Sequence, residues 1–306
     1  MATTQKSAPL ISVIMNFLNR EDFIIEAIDS VLAQSCADWE LILVDDGSSD
    51  ASTAIAKDYA TRFAGKIIYV DHPGHANLGA SASRNKGAAI ARGTFLAFLD
   101  SDDVWMPRKL EEQAVLLASH RDAVLVCGAI LYWHSWNGDA GDRAVLTAGI
   151  ADRLVAPPGI ALKAYPLGRS SGAGVDFMVV RTVYLALGGF EEAFPGMFDD
   201  QSFLLKVFIR HPVYVSSKVW LKYRQHPGSC SEAVRVDGSY ERVREQFFAW
   251  LTGYLAANNP DPRLTKALAK ARRRQSRLAL LARRVIKGIL RRVVPRSNGP
   301  LGDFHA

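Results

Sequence analysis

The sequence predicts an α/β fold: a doubly wound, mainly parallel sheet flanked by helices, with a basic helical C-terminal extension. Three observations predict it. Short apolar runs alternate with amphipathic stretches through the first 120 residues, the signature of repeated βα units. Two of the predicted strands, Trp39 to Val44 and Thr94 to Leu99, end abruptly in carboxylates. Charge is also unevenly placed. The chain has 37 Lys and Arg against 31 Asp and Glu, but 13 of the bases and only one acid, Asp303, lie between Arg263 and Ala306, a net of +12 there. The preceding residues carry the other 24 bases and 30 acids, a net of −6. Parts of one chain that differ this much meet different partners.

Taken in order, Leu10 to Phe17 reads as a first strand, and Arg20 to Gln34 has Phe23, Ile24, Ala27, Ile28, Val31 and Leu32 at helical spacing. Trp39 to Val44 is a second strand, followed by a turn and a helix that Ser49 or Asp50 would cap, reaching Phe63. Lys66 to Val70 is a third strand. His72 to Gly79 is a loop whose histidines, His72 and His75, read as ordinary loop residues, and Ala80 to Arg92 is an Ala-rich helix. Thr94 to Leu99 is the central strand, and Pro107 fits the first turn of a helix over Arg108 to His120. Beyond it, Val124 to Trp133, Val175 to Val180 and Val213 to Tyr223 read as strands. Asn137 to Gly174 is rich in Gly and Pro, and Phe198-Asp199-Asp200-Gln201 opens a helix with Phe203, Leu204, Val207 and Phe208 on one face.

Composition excludes several classes. With 49% hydrophobic and 22% charged residues the chain is globular, and no segment approaches the roughly 18 apolar residues of a membrane span. The polar start, residues 1–9, has no apolar signal core and is expected to be disordered, so a cytoplasmic location is expected. Cys36, Cys127 and Cys230 are scattered and odd in number, which suits a reducing compartment and no disulfide framework.

The stretch Phe95 to Trp105 carries the chemistry. Five apolar residues run into Asp100, Asp102 and Asp103, which places the carboxylates at a strand's C-terminal edge, where open α/β sheets hold ligands. Three Asp side chains so close repel one another unless a cation or bound donors lie between them. Mg²⁺ or Mn²⁺ prefers such oxygen ligands and keeps phosphate oxygens in its shell. An isolated Asp cluster is more often an acidic helix-capping turn.

Four blocks in register favour the metal reading. Ser12 to Asn19 (SVIMNFLN), Trp39 to Asp50 (WELILVDDGSSD), Ala82 to Gly87 (ASRNKG) and Leu99 to Asp103 (LDSDD) resemble, in order and spacing, family 2 glycosyltransferases. The resemblance covers residues 10–231. It implies a GT-A fold, a nucleotide-sugar donor with UDP preferred, Mn²⁺ or Mg²⁺, and inverting transfer to a glycan or lipid-linked acceptor. The domain would divide into a nucleotide-binding half, 10–120, and an acceptor-binding half, 121–231, with residues 232–306 as the extension. One departure is visible, since Asn16 and Leu18 stand where the family usually has Pro or Thr and Tyr.

Residue roles follow from the same resemblance. Asp102 and Asp103 would hold the metal, with Asp100 close by. Asn16, Asn19, Asp46, Arg84, Asp100, Asp102 and His226 would line the donor, Asp46 accepting the N–H of a uracil-like base and Asp45 being structural. Arg84 would pair with a phosphate or the base, or alternatively with a nearby Asp. Asp200 matches the family's base position and Asp199 a helper or cap. Trp133 and Trp136 suit either an acceptor platform or the core. A nucleotidyltransferase would need a Gly-rich basic loop after the first strand, and Asn16 to Arg20 is not one. A non-catalytic relative would be expected to lack Asp102, Asp103 or Asp200. Nucleic acid is not an expected partner, because the motif-bearing body is acidic.

The tail has its own pattern. Leu278, Ala282, Val285, Ile286, Ile289 and Val293 form an apolar stripe among many Arg and Lys, ending at Pro295. Such a helix suits an anionic membrane surface, through residues 263–296, or packing on its own domain or a partner.

Overall fold

The structure, a computed structural model, describes residues 8–172, 174–194, 197–229, 238–258 and 261–274. Its first half is β1 (Ile11–Phe17), α1 (Ile24–Leu32), β2 (Trp39–Asp45), α2 (Ser52–Arg62), β3 (Ile67–Asp71), α3 (Ala80–Ile90), β4 (Phe95–Asp100), β5 (Val104–Trp105) and α4 (Lys109–Ser119). The second half is β6 (Leu125–Trp133), β7 (Arg143–Val145), β8 (Arg153–Val155), α5 (Gly159–Lys163), β9 (Phe177–Val180), α6 (Arg181–Ala186), α7 (Asp199–Arg210), β10 (Val213–Arg224) and α8 (Tyr240–Ala257). Residues 262–274 are also helical.

One sheet runs β3-β2-β1-β4-β9-β6-β10-β5, with β7 on β6 and β8 on β10. The chain steps from β1 outward to β2 and β3, then returns to place β4 on β1's other side, all parallel. That reversal makes the C-terminal ends of β1, β2 and β4 a ligand-binding crevice. The register puts Asn16 beside both Val44 and Asp100, and Phe17 beside Asp45. In the second half β9 runs antiparallel between β4 and β6, while β6 and β10 are parallel to each other. The Gly- and Pro-rich stretch after β6 supplies β7, β8 and α5, elements too short for periodicity to reveal.

Both faces of the central strands are covered, which is why their sequences are continuously apolar. Val13, Met15, Leu41, Leu43, Ala97 and Leu99 pack toward α1. Ile14, Ile42, Val44, Leu96 and Phe98 pack in the other cluster, with Phe203, Leu204, Val207 and Phe208 of α7. Gly87 lets α3 lie close on the sheet: a Cβ there would sit 2.6 Å from Ile14 Cγ2 and 3.2 Å from Val44 Cγ2. The extension joins the same core. Val243, Phe247, Phe248, Leu251 and Leu255 of α8 pack into it, as do Leu264, Leu268 and Ala271. The described part of the tail thus packs on the domain that precedes it. The stripe from Leu278 to Val293 lies outside the described residues, as do residues 1–7. Among the described residues no helix is long and apolar enough to cross a membrane.

Candidate active site

At the end of β2 the two carboxylates do different work. Asp45 accepts from the Ser48 amide (2.8 Å) and from the hydroxyls of Thr53 (2.5 Å) and Tyr69 (3.2 Å), closing the turn that follows the strand. Asp46, 3% exposed, accepts from the amides of Leu78 (2.8 Å) and Gly79 (3.0 and 3.1 Å). It ties the loop before α3 to β2. His72, read from sequence as an ordinary loop residue, is buried. Its Nε2 lies 2.8 Å from Ser83 Oγ and 3.6 Å from Asp46 Oδ1. The Asn19 carboxamide oxygen accepts from the Ser49 amide at 2.8 Å. Asn16 differs: its Oδ1 is buried with no hydrogen-bond partner, as are Ser81 Oγ and Arg84 Nε.

The turn after β4 carries Asp100, Asp102 and Asp103. Asp102 Oδ2 meets His226 Nε2 at 3.1 Å and Arg20 Nε at 3.3 Å. Burial pushes the Asp102 carboxyl up, but the His226 hydrogen bond and the charges of Arg20 and His226 outweigh it, holding Asp102 below the usual range. Asp103 is enclosed, 1% exposed. Its Oδ1 accepts the Arg224 amide at 2.9 Å and its Oδ2 is buried without a partner. Burial, then the charges of Asp102 and Asp100, drive its carboxyl well above the ordinary value. Asp103 therefore braces β10 from the interior. One of its two oxygens is thus taken up by the backbone of β10.

Arg224 sits above this turn. Its guanidinium carbon lies 4.5 Å from the ring centre of Trp133 and 5.0 Å from those of Phe23 and Trp136. Its Nε donates to the Asp102 carbonyl at 2.7 Å and its Nη2 pairs with Glu26. The two tryptophans thus wrap an arginine at the rim of the cleft, and Trp136 Nε1 donates to the Gln225 carbonyl. Phe23 packs on the His226 ring, centres 4.8 Å apart. Arg20 Nη2 reaches the Gly228 carbonyl at 3.2 Å, joining the loop after β1 to the loop after β10.

Across the cleft, α7 begins at Asp199. Arg84, on α3 and 5% exposed, donates through Nη2 to Asp100 Oδ1 at 2.5 Å and through Nη1 to Asp199 Oδ2. Of its two expected roles, pairing with nearby carboxylates is the one observed. One guanidinium thus joins α3, the end of β4 and the start of α7. Burial alone would lower its pKa, but Asp100 and Asp199 more than reverse that and keep it charged. Asp200 has no such partner in charge; its Oδ1 accepts the amide of its own neighbour, Gln201, at 2.7 Å. Burial and the adjacent Asp199 charge push the Asp200 carboxyl up to about 7.

Comparison with known proteins starts from the motif-bearing half. Residues 12–148 match the model of glycosyl transferase family 2. EpsE of Bacillus subtilis (strain 168), assigned as a glycosyltransferase, is 36% identical over 160 residues, 52% of this chain and 54% of that protein. Over that stretch the chain is similar to glycosyltransferase family 2. TuaG of the same organism, assigned as a glycosyltransferase of teichuronic acid biosynthesis, is 42% identical over 108 residues, 34% of this chain and 40% of TuaG. The chain spans about half the length or less of these relatives. S. aureus TarS 1–349, solved in complex with UDP-GlcNAc, has TM-score 0.60 at 21% identity, covering 72% of this chain and 60% of that one. That likeness shows the GT-A fold.

A divalent metal is what the family 2 resemblance implied. Among the described residues no group of three or more His, Cys, Asp or Glu side chains could hold one. A hard cation carried by one or two side chains and completed by phosphate oxygens and water still fits, because Asp102 is held ionised at the cleft beside His226. Arg20, Arg224 and His72 are the residues that sequence reasoning missed. Arg20 follows directly on the first block, the only local signal any of them offered.

Proposed function

We propose that this enzyme transfers a sugar from a nucleotide-sugar donor, UDP-linked by preference, to a hydroxyl of a glycan or lipid-linked glycan, with inversion. The observation that carries this reading is the pairing of two unlike carboxylates at the start of α7. Asp199 is fixed by Arg84, and Asp200 is left with a pKa near neutrality, where a general base works best.

In this reading Asp200 takes the proton of the acceptor hydroxyl as its oxygen bonds to the anomeric carbon. The bond from that carbon to the diphosphate breaks on the opposite face, and its electron pair leaves with the nucleoside diphosphate. Arg84 keeps Asp100 and Asp199 in one bridge, so the base-bearing helix and the donor-side turn hold a fixed separation. Asp102, with His226 behind it, would hold Mn²⁺ or Mg²⁺, which when bound neutralises charge on the leaving diphosphate. Asn16 Oδ1, Ser81 Oγ and Arg84 Nε are buried polar atoms without partners on the donor side, which suits a polar ligand there. The UDP-GlcNAc complex of TarS supports the choice of UDP, and the assignment of TuaG to teichuronic acid biosynthesis supports a glycan as acceptor. The aromatic rim at Trp133 and Trp136 suits a sugar at the cleft mouth.

Calorimetry with UDP, GDP and dTDP in the presence of Mn²⁺, followed by transfer assays with a UDP-sugar panel, tests this. We expect UDP to bind most tightly and its affinity to fall on chelation of the metal. Absence of binding by every nucleotide would overturn the reading.

We further propose that the extension docks on an anionic membrane. Arg263, Lys266, Lys270 and Arg273 lie exposed on the outward side of the 262–274 helix, opposite buried Leu264, Leu268 and Ala271. Each base near such a surface contributes about 1 kcal/mol. Replacing the four by Gln should weaken sedimentation with anionic vesicles, and undiminished binding would refute the proposal.

A further inference from the structure

Phe198 immediately precedes the two carboxylates of α7 and has φ +69, ψ 5, the left-handed region that a bulky side chain rarely adopts. It is no turn residue by type, and it is 2% exposed. Residues held in such conformations persist only where their surroundings over-determine them. Here the surroundings come from the C-terminal extension. Phe247 of α8, fully buried, stacks on the Phe198 ring with centres 4.8 Å apart and planes at 16°. Phe247 is backed in turn by Trp250 at 5.7 Å and Phe194 at 5.6 Å. Tyr240, at the start of α8, lies 6.2 Å from the Phe198 ring, and Tyr165 lies 6.4 Å from it, their hydroxyls 3.3 Å apart. Arg274 ties the same loop to the extension, donating from Nη2 to the carbonyls of Pro166 and Gly168, both at 3.1 Å.

We propose that Phe247 is a positioning residue for transfer: by clamping Phe198 in its left-handed turn, it sets the direction in which α7 starts, and so where Asp199 meets Arg84 and where Asp200 points. The extension is then part of the catalytic unit, although the family match ends at residue 148. This rests on Asp200 being the base. The aromatic stack acts at a distance through one peptide turn; it touches neither donor nor acceptor. Loss of the clamp should leave the donor side, built on β1, β2 and β4, unchanged.

The experiment compares Phe247→Leu with Phe248→Leu in the full-length chain. Phe248 is on the same helix, 1% exposed and in the same core, and its ring packs on Phe247 at 6.2 Å. Both variants should lose similar thermal stability and bind UDP with Mn²⁺ as the wild type does. Only Phe247→Leu should lose transfer, with kcat down at least tenfold, while Phe248→Leu stays within about twofold. Tyr240→Leu, at the half-buried end of the stack, should cost about threefold in kcat and serves if Phe247→Leu does not fold. Equal kcat in the two Phe variants, or an unchanged Tyr240→Leu where Phe247→Leu is insoluble, overturns the proposal. Asp200→Asn runs alongside. If it turns over normally, the base assignment has failed and the proposal with it; if it is inactive and the Phe variants match, only the proposal has failed.

Discussion

The donor edge and the base edge of the cleft are both lined by aspartates, yet they treat them in opposite ways. At the ends of β2 and β4 every carboxylate is engaged: Asp45 and Asp46 by backbone amides, Asp100 by Arg84, Asp102 by Arg20 and His226, Asp103 by the Arg224 amide. At the start of α7 only Asp199 is paired in charge, and Asp200 keeps just the amide of Gln201. The difference teaches what each edge is for. A carboxylate met by two cationic side chains, as at Asp102, is held below the usual range, while Asp200, with one backbone amide and a second carboxylate beside it, is driven up, as Asp103 is on the donor edge. Arg84 draws the line between the two, since it ion-pairs with Asp100 and Asp199 and its charge offsets the rise at Asp200 only in part.

The contrast is broken most severely at Asp200. Asp200→Asn should lower kcat by about 10²- to 10⁴-fold, the usual worth of a general base, with UDP binding within about threefold of wild type. Steady-state transfer and calorimetry on one preparation measure both. The wild-type kcat should also rise with pH along a limb centred near 7, because the base must shed its proton first. A limb near pH 4 would mean that Asp200 does not titrate in the rate.

A smaller effect separates two neighbours on the donor edge. Asp102→Asn should weaken Mn²⁺-supported UDP binding by about 10- to 100-fold, in line with losing a metal ligand or its immediate support. Asp103→Asn should leave it within about threefold, since that side chain is enclosed and one of its oxygens already accepts the Arg224 amide. Metal titrations of UDP affinity decide this. Equal losses in both variants would place Asp103 on the metal beside Asp102.

What sequence revealed and what it hid divide along the same line. The parallel strands of the first half were legible because both of their faces are buried, leaving unbroken apolar runs, and their carboxylates follow at once in the chain. The helix of Asp199 was legible from the spacing of Phe203, Leu204, Val207 and Phe208. The partners were not. Arg84 meets Asp199 across 115 residues, Arg20 meets Gly228 across 208 and Arg224 meets Glu26 across 198. No local pattern encodes such pairs, so a carboxylate that could bind a base, Asp46, cannot be told from one that ties down a loop. Phe198 was hidden for a different reason. Its side chain fits an ordinary core pattern, and only the sign of its φ marks it. The short strands β5, β7 and β8 have too few residues for any period to show.

The smallest effect concerns stability rather than rate, and its sign follows from Asp200 alone. Its carboxyl ionises near an ordinary value of 3.8 in the unfolded chain and at about 7 in the fold. The folded state therefore binds the extra proton between those values, and folding stability falls as pH rises through that window. The cost is absent below about pH 4 and complete above about pH 7. Asp200→Asn removes the ionisation but weakens the bond from the Gln201 amide. The net gain above the window should be about 1–3 kcal/mol, worth about 2–4 °C in Tm per kcal/mol for a domain of this size. Thermal unfolding of both proteins at about pH 4.5 and pH 8 should show Tm values close together at the lower pH and the variant several degrees higher at the upper. A Tm difference that does not change with pH would mean that Asp200 titrates alike in the folded and unfolded chains, and the contrast between the two edges would lose its electrostatic basis.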